Sequence, residues 1–280
     1  MVKKRKAFKK MTLLVAWTGI DSRGPASVYL AADSRVSWKQ CGQFDHAIKT
    51  FATTQFPAII GYCGDSLASL MLISQAIAVI DSMHNYNKIR LESFVDILVR
   101  LIVRNYSTYP IKLSAGSFTV IVCGKNKINS VGEFECYKIT STFNDFVKAT
   151  LQLPEKSWPI IISGSGTSQF KKNYEKHQDE KNSNKSTSRD VFHAFYETIS
   201  AGKNPEVGVI PQITRVIRKP NTNGTHCGIV INGQRYIAGQ LVDRDIYPDN
   251  IQWFNENFEI TNPHTKQRSL GAQPQPPFLC

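Results

Sequence analysis

Residues 28–35 read VYLAADSR, a short apolar run that ends in an aspartate, a serine and an arginine. A second apolar run, LLVAW at residues 13–17, precedes it, and the polar segment 18–27 joins the two. Apolar runs of about four to eight residues that are bounded by turn-forming residues are typical of buried strands. The two runs therefore predict a strand hairpin near the start of the fold.

Strands and helices follow in blocks along the rest of the chain. Apolar runs predict further strands at 57–63, 118–123, 134–139 and 159–163, and a closing hairpin at 228–231 and 235–238 around Asn232-Gly233. Helical periodicity predicts helices over 66–83, 93–105 and 190–201, and residues 209–217 are amphipathic. This order favours an α+β fold with two sheets and helices packed outside them.

The first two helices carry more apolar side chains than one buried stripe needs. Asp65 or Ser66 is the expected N-cap of the first helix, and Ser93 or a neighbour that of the second. The faces that we expect to be buried contain Leu67, Leu70, Met71, Ser74, Ile77 and Ala78 on the first helix, and Phe94, Ile97, Leu98, Leu101 and Ile102 on the second. Val79, Ile80 and Val103 widen these faces. Surplus apolar surface indicates a subunit interface, so we expect a homo-oligomer larger than a dimer.

The chain is predicted to form one domain over residues 12–261, without internal repeats. Residues 1–11 form a basic leader or propeptide. Residues 171–189 contain Tyr174 among many polar side chains, which predicts a solvated insertion or mobile loop. Residues 262–280 contain several prolines, which predicts a disordered tail.

Composition excludes integral membrane proteins, secreted scaffolds held by disulfides, and mostly disordered chains. The 280 residues are 41% hydrophobic, and no apolar run approaches the roughly 18 residues of a membrane helix. The net charge is +12. Much of it comes from the leader, through Lys3, Lys4, Arg5, Lys6, Lys9 and Lys10. Such a leader can bind nucleic acid but is equally typical of a solvated tail, and we do not expect nucleic acid as a partner.

The cysteines predict a reducing compartment. The six cysteines form no Cys-x-x-Cys pair and no metal-ligand spacing. Cys63 and Cys123 lie in apolar runs and are expected to be buried thiols. A cytoplasmic protein without a cofactor or metal fits this pattern.

Several short motifs then occur in an informative order. Thr12 directly precedes the first strand, Asp33 ends the second, and Lys49 opens the segment that leads to GYCG at 61–64. TVIVCG at 119–124 and SGSG at 163–166 follow. In this order they resemble the proteasome-type N-terminal nucleophile (Ntn) hydrolases over about residues 12–240, and the MTLLVA start is most similar to their Anbu-type bacterial relatives. The resemblance implies a four-layer αββα sandwich whose nucleophile is the first residue of the mature chain.

The resemblance also implies a role for each motif. Thr12 would be the nucleophile, with its own α-amine, of ordinary pKa about 7.7–8.0, as the base. Lys49 would lower the pKa of the nucleophile and its amine, and Asp33 would orient Lys49. Gly64 would donate its backbone N–H to the oxyanion, and Ser165 would hydrogen-bond the amine.

Positions that line the substrate cleft in the family are occupied here by Val36, Ser37, Ala47 and Cys63. They predict a small or apolar side chain beside the scissile bond. Each motif also has a bland interpretation: a strand threonine, an Asx turn at the aspartate, a solvated lysine, and glycine turns. Only their common order favours chemistry.

Two departures from the family's pattern bear on the catalytic amine. Asn204 and Val207 stand where family members carry an Asp-x-x-Ser pair, so the resemblance provides no such pair to support the amine. With residues 1–11 attached, Thr12 has an amide nitrogen and no base. The leader is removed autocatalytically, or translation starts at Met11 and an aminopeptidase removes it, or the protein is inactive.

The motifs thus predict a threonine peptidase that cleaves peptide (amide) bonds through an ester acyl-enzyme, in a proteasome-like homo-oligomer. Its expected partners are a peptide or unfolded protein substrate and an unfoldase or other adaptor, and no membrane. A catalytically inactive proteasome-like scaffold and a small-molecule Ntn amidase are the alternatives. A third is nucleic-acid binding through the leader, which would depend steeply on salt.

Overall fold

The computed structural model describes residues 12–272, except 39–41, 84–88, 111–115, 127–132, 143–144, 180–184, 220–221, 244, 247 and 249. The leader at 1–11 and the end of the tail at 273–280 therefore lie outside the described residues. None of the helices in the described part of the chain combines the length and apolarity that a membrane crossing needs.

The described chain is a mixed α/β fold. Its elements in chain order are β1 (Leu13–Asp21), β2 (Gly24–Asp33), β3 (Val36–Trp38), β4 (Gly42–Phe44), β5 (Thr50–Ala52), β6 (Ala58–Gly64), α1 (Ser66–Asp81), α2 (Leu91–Tyr106), β7 (Phe118–Lys125), β8 (Phe134–Thr142), β9 (Asp145–Leu151), β10 (Pro159–Gly164), α3 (Thr167–Asp179), α4 (Ser188–Ser200), β11 (Pro211–Ile217), β12 (Thr225–Ile231), β13 (Gln234–Ile237), β14 (Gln240–Leu241) and β15 (Trp253–Phe254). Every strand and helix predicted from the sequence has a counterpart here. Strand β9 was not predicted, because its side chains are mostly exposed and its sequence has no apolar run.

Two large sheets organise these elements. The first has eight strands in the order β10-β1-β2-β11-β12-β13-β14, with β15 added parallel to β12. The second has five strands in the order β5-β6-β7-β8-β9, and β3 pairs with β4 as a separate hairpin. This hairpin connects Asp33 at the end of the first sheet's β2 to Lys49 before the second sheet's β5.

Three apolar clusters separate the sheets and helices. One packs α1 and α2 against the five-stranded sheet, and a second packs α3 and α4 against the eight-stranded sheet. The third lies between the two sheets. Strand β1 shows how the clusters alternate: Leu13, Val15 and Trp17 belong to the helix-facing cluster, whereas Leu14 and Ala16 belong to the inter-sheet cluster. Successive strand side chains point to opposite faces, so a strand buried on both faces must be apolar throughout.

The first hairpin is confirmed, but its predicted connection is too long. Strands β1 and β2 pair up to Asp21 and Gly24, so only residues 22 and 23 form the turn. The polar residues at 18–27 extend the strands. In the closing hairpin, Asn232 and Gly233 both have positive φ values, 48° and 71°. This is the backbone of the tight turn that Asn-Gly favours.

The predicted buried face of α1 is wrong. Leu67 is 48% exposed and Met71 is 44% exposed. The buried side chains are instead Ser66, Ala68, Ser69, Leu72, Ile73, Ala76 and Ile80. Because apolar residues occur all round this helix, two phases of the periodicity are possible, and the sheet below selects one. The predicted N-cap is correct: the Asp65 side chain accepts a hydrogen bond from Ala68 N.

Helix α2 begins earlier than predicted, and its cap differs. Arg90 occupies the N-cap position without a side-chain hydrogen bond. Leu91 N instead donates to Asn126 Oδ1 at 2.8 Å, so a distant side chain replaces the local cap expected at Ser93. Phe94, Leu98 and Ile102 are buried, in agreement with the predicted face.

The prediction of a mobile loop over 171–189 is wrong where those residues are described. Helix α3 extends to Asp179, and α4 begins at Ser188. Polar side chains of α3 are buried because they bond to α4: Asn173 Nδ2 lies 3.0 Å from Thr198 Oγ1, and His177 Nε2 lies 3.1 Å from Glu197 Oε2. Composition alone could not reveal a helix that packs through polar side chains.

The predicted disordered tail is also wrong up to residue 272. Lys266 N donates to Asn262 O at 2.8 Å, and Ser269 N donates to Ile260 O at 2.8 Å. These bonds tie the segment to the end of the first sheet, where Phe254 pairs with Ile260.

Candidate active site

Thr12, Asp33 and Lys49 meet in one buried cluster, although they are distant in sequence and come from both sheets. Lys49 Nζ lies 2.8 Å from Thr12 Oγ1, and 3.1 and 3.0 Å from the two carboxylate oxygens of Asp33. All three residues are fully buried. A buried cation and anion are tolerated only as a well-bonded pair, so Asp33 and Lys49 each depend on the other to remain buried.

Asp33 gathers several chain segments around its carboxylate. Leu13 N and Gly208 N each donate to it at 2.8 Å, and Arg35 N donates at 3.0 Å. The bond from Arg35 N is the Asx turn of the bland interpretation, so the local turn and the contact with Lys49 coexist. The carboxylate thus fixes the residue after Thr12 relative to the amine of Lys49.

The Lys49 amine is shifted toward its neutral form. Burial lowers the pKa of Lys49 below its ordinary value, and the carboxylate of Asp33 opposes that shift. Because the same amine lies 2.8 Å from Thr12 Oγ1, its charge is placed where it can stabilise the deprotonated form of that hydroxyl.

The backbone of Thr12 is strained. Its φ is 123°, a region that a β-branched residue rarely occupies. Residues of the SGSG motif surround its carbonyl: Gly166 N donates to Thr12 O at 3.2 Å, and a Cβ on Gly164 would lie only 2.0 Å from that oxygen. Gly164 is therefore needed for this close approach to the backbone of Thr12.

Ser165 lies within this motif with an unsatisfied hydroxyl. Its Oγ is buried and has no hydrogen-bond partner among the described residues. At the positions of the family's pair, Asn204 Oδ1 accepts from Glu206 N at 3.0 Å, and the apolar Val207 packs in the cluster under α3 and α4. Among the described residues, the buried Ser165 hydroxyl therefore has bonding capacity for a neighbouring amine.

Gly64 is required for a reason other than substrate access. Its φ is 111°, and a Cβ there would lie 2.5 Å from Ser117 O and 2.7 Å from Phe118 Cα. Pairing with β7 therefore demands glycine whether or not a substrate binds. Its role in the oxyanion site stays a prediction.

The expected cleft residues lie beside the cluster with little exposed surface. Val36 and Ala47 are nearly buried, and the Ser37 hydroxyl is buried without a partner among the described residues. Cys63 belongs to the inter-sheet cluster, with Sγ 3.0 Å from Ser163 Oγ. Cys123 is buried as well, so both thiols predicted to be buried are confirmed. The lining of a substrate cleft by these residues stays a prediction.

Two neighbours of the cluster were not predicted. Gln212 is fully buried and bonds to the backbone on both sides of the Asp33–Lys49 contact. Arg35 forms a two-pronged ion pair with Asp45, at 2.5 and 2.9 Å, which holds the pKa of Asp45 below its ordinary value. Gln212 could not be predicted, because a single glutamine in an amphipathic segment belongs to no sequence motif.

Comparison with known proteins gives matches in structure alone. No protein-family model matches the chain, and no curated protein matches its sequence. The structure of Anbu (ancestral beta-subunit) from Yersinia bercovieri is 13% identical, with 77% of this chain and 86% of that chain covered and a TM-score of 0.50. A mutant of Anbu from Hyphomicrobium sp. strain MC1 is 12% identical, with 77% and 87% covered and a TM-score of 0.52. At such identities the likeness shows a shared fold, and it confirms at that level the resemblance to proteasome-type Ntn hydrolases.

Proposed function

From this shared fold and the buried cluster, we propose that the chain is an N-terminal threonine hydrolase that cleaves peptide (amide) bonds through an ester acyl-enzyme. The observation that carries the proposal is the 2.8 Å contact between Lys49 Nζ and Thr12 Oγ1, with Asp33 bonded to the same amine. A hydroxyl needs an adjacent base and a nearby charge to become nucleophilic, and this contact supplies the charge.

The reaction follows from the groups around Thr12. Once residues 1–11 are released, the α-amine of Thr12 accepts the Oγ1 proton while Oγ1 attacks the substrate carbonyl carbon. The peptide C–N bond then breaks, the leaving amine takes that proton, and an ester to Thr12 remains. Water hydrolyses the ester and restores the hydroxyl. Gly64 N–H would bind the oxyanion, and the free Ser165 hydroxyl would hold the amine.

The strain at Thr12 fits this sequence of events. The φ angle of 123° describes rotation about the N–Cα bond of Thr12, which is restricted by the preceding peptide group. Release of that group would relieve the strain and create the α-amine in one step. We therefore propose that the mature protein begins at Thr12. We also propose that it acts in the cytoplasm.

Assembly into a homo-oligomer is the second part of the proposal, together with a four-layer αββα arrangement of the subunit. The alternation of three apolar clusters with two sheets and two helix pairs supports the layered arrangement. Exposed apolar side chains on and just after α1 support assembly, namely those of Leu67, Met71, Val79 and Met83. An unfoldase or other adaptor would deliver an unfolded protein to such an assembly.

The test begins with protein purified from its own host. Intact mass decides whether the chain starts at Thr12. Fluorogenic peptides with a small apolar residue before the scissile bond then measure hydrolysis. Thr12→Ala should abolish turnover, whereas Thr18→Ala, which changes a buried threonine at the other end of the same strand, should leave it intact. Equal turnover by wild type and Thr12→Ala would refute the proposal.

A catalytically inactive scaffold is the second candidate. It is favoured by one observation: at the two positions of the family's Asp-x-x-Ser pair, Asn204 carries no carboxylate and Val207 carries no hydroxyl. Retention of residues 1–11 on the purified protein would support it. Turnover of acylated amino acids without turnover of peptides would instead indicate a small-molecule amidase.

A further inference from the structure

Gln212 lies on β11 beside the contact between Asp33 and Lys49. Its backbone pairs with Ala32, one residue before Asp33, so it belongs to the eight-stranded sheet. Its side chain is fully buried and extends toward residues 47–50, which lead into the five-stranded sheet. One side chain therefore bridges the two sheets at the position where the candidate nucleophile and its lysine meet.

The polarity of the Gln212 amide matches its surroundings on both sides. Oε1 accepts from Lys49 N at 2.8 Å and from Thr50 N at 3.1 Å. Nε2 donates to Ala47 O at 3.0 Å and to Asp33 O at 3.3 Å. It also lies 3.0 Å from Ser34 Oγ, whose own proton is directed at Ile210 O. A reversed amide would place its NH₂ group against two N–H groups, so only the observed orientation sets donors against acceptors on both sides.

The backbone of Lys49 has two attachments. On one side, Tyr62 N donates to Lys49 O at 3.2 Å, which ties the residue to β6. On the other side, Gln212 accepts from Lys49 N. Ala47 N also donates to Ser34 O at 2.9 Å, so residue 47 keeps a backbone bond to the chain just after β2 when Gln212 is replaced. The N–H groups of Lys49 and Thr50 lose their acceptor, and this part of the segment could then move away from the eight-stranded sheet, to which Asp33 belongs. The position of Nζ would then no longer be fixed relative to Thr12 Oγ1.

We propose that Gln212 is a positioning residue of this site: it holds the backbone of residues 47–50 so that Lys49 Nζ reaches Thr12 Oγ1 and Asp33 together. This inference rests on the proposed hydrolase function. No other side chain supplies an acceptor for two N–H groups and donors for two carbonyls at this length. Glutamate lacks the donors and adds a charge, and asparagine is shorter by one methylene group.

The test compares Gln212→Met with Thr214→Val in the full chain. Methionine has a similar length and no amide, whereas Thr214 is buried two residues further along the same face of β11, and its hydroxyl donates to Leu30 O at 3.4 Å. In Gln212→Met we expect kcat to fall about 100-fold with KM nearly unchanged, because a displacement of about 1 Å costs that much. Thr214→Val should retain wild-type kcat.

A second readout reports on Lys49 directly. In NMR titrations of the lysine side chains, the pKa of Lys49 should move up toward its ordinary value in Gln212→Met, because water enters a loosened site, and should stay unchanged in Thr214→Val. Loss of stability alone would not produce this shift. If Gln212→Met does not fold, Gln212→Asn replaces it, with the same directions expected and a smaller loss of kcat.

The two proposals fail in different ways. If a folded Gln212 variant keeps both the wild-type Lys49 titration and the wild-type kcat, Gln212 has no positioning role. If wild type hydrolyses no peptide or amide, the hydrolase function is refuted. The Lys49 titration then still decides whether Gln212 fixes the amine.

Discussion

Lys49→Met should destabilise the protein far more than the loss of one ordinary side chain. The substitution keeps an unbranched side chain, one heavy atom shorter, but removes the cation that lies 3.0 Å from the carboxylate of Asp33. Breaking a buried ion pair by removing one partner costs about 3–5 kcal/mol. Three backbone N–H groups still bind the Asp33 carboxylate, so we take the lower limit, about 3 kcal/mol. At about 2–4 °C per kcal/mol for a chain of this size, Tm should fall by about 6–12 °C.

Thermal melts followed by circular dichroism measure this loss, and Lys125→Met is its matched control. Lys125 is also buried, but its Nζ bonds to Lys219 O and Thr222 Oγ1 and, among the described residues, to no carboxylate. Its replacement leaves no unpaired charge and should cost less. Adding Asp33→Asn to Lys49→Met should restore part of the lost stability, since the amide carries no charge. If Lys49→Met melts no lower than Lys125→Met, the buried ion pair is not the stabilising contact inferred here.

Three further outcomes are expected. Thr12→Ala should lose turnover while its Tm stays within a few degrees of wild type, and Thr12→Ser should keep part of the activity, as peptide hydrolysis and thermal melts will show. In Gly164→Ala, the free energy of unfolding measured with denaturant should fall by about 3 kcal/mol or more, because the added Cβ would lie 2.0 Å from Thr12 O. Gly24→Ala is the control: its φ is 96° and no atom lies within 4 Å of the added Cβ, so it should lose about 1 kcal/mol from backbone strain alone. Burial lowers the pKa of His193 from 6.5 to about 4, so below pH 6.5 the unfolded chain binds a proton that the folded chain refuses. The free energy of unfolding should therefore fall by about 2 kcal/mol from this residue between pH 7.5 and 5, and His193→Gln should show a smaller fall.

The sequence predicts those parts of the fold in which local pattern and burial coincide. The run LLVAW at 13–17 is apolar without interruption because β1 is covered on both faces, and GYCG ends in a glycine whose φ is positive. The order of Thr12, Asp33 and Lys49 along the chain similarly led to three residues that the structure brings into contact. Their chemical roles stay predictions.

What the sequence could not predict depends on partners distant in the chain. Helix α3 has few apolar residues because α4 offers it hydrogen bonds. The buried face of α1 is chosen by the sheet, since the helix is apolar all round. Gln212 carries no motif, and its importance arises from six groups that the fold brings around one amide.

The placement of the Thr12 hydroxyl is independent of the covalent state of its nitrogen. Leu13 N is held by Asp33, Thr12 O is held by Gly166 N, and Oγ1 contacts Lys49 Nζ, and none of these bonds involves Thr12 N. An unprocessed chain can therefore place its hydroxyl and its lysine without having a base. A catalytically silent scaffold and an active hydrolase would share the same geometry at Thr12, Asp33 and Lys49. The difference between them is one peptide bond, because only its cleavage creates the amine that accepts the proton.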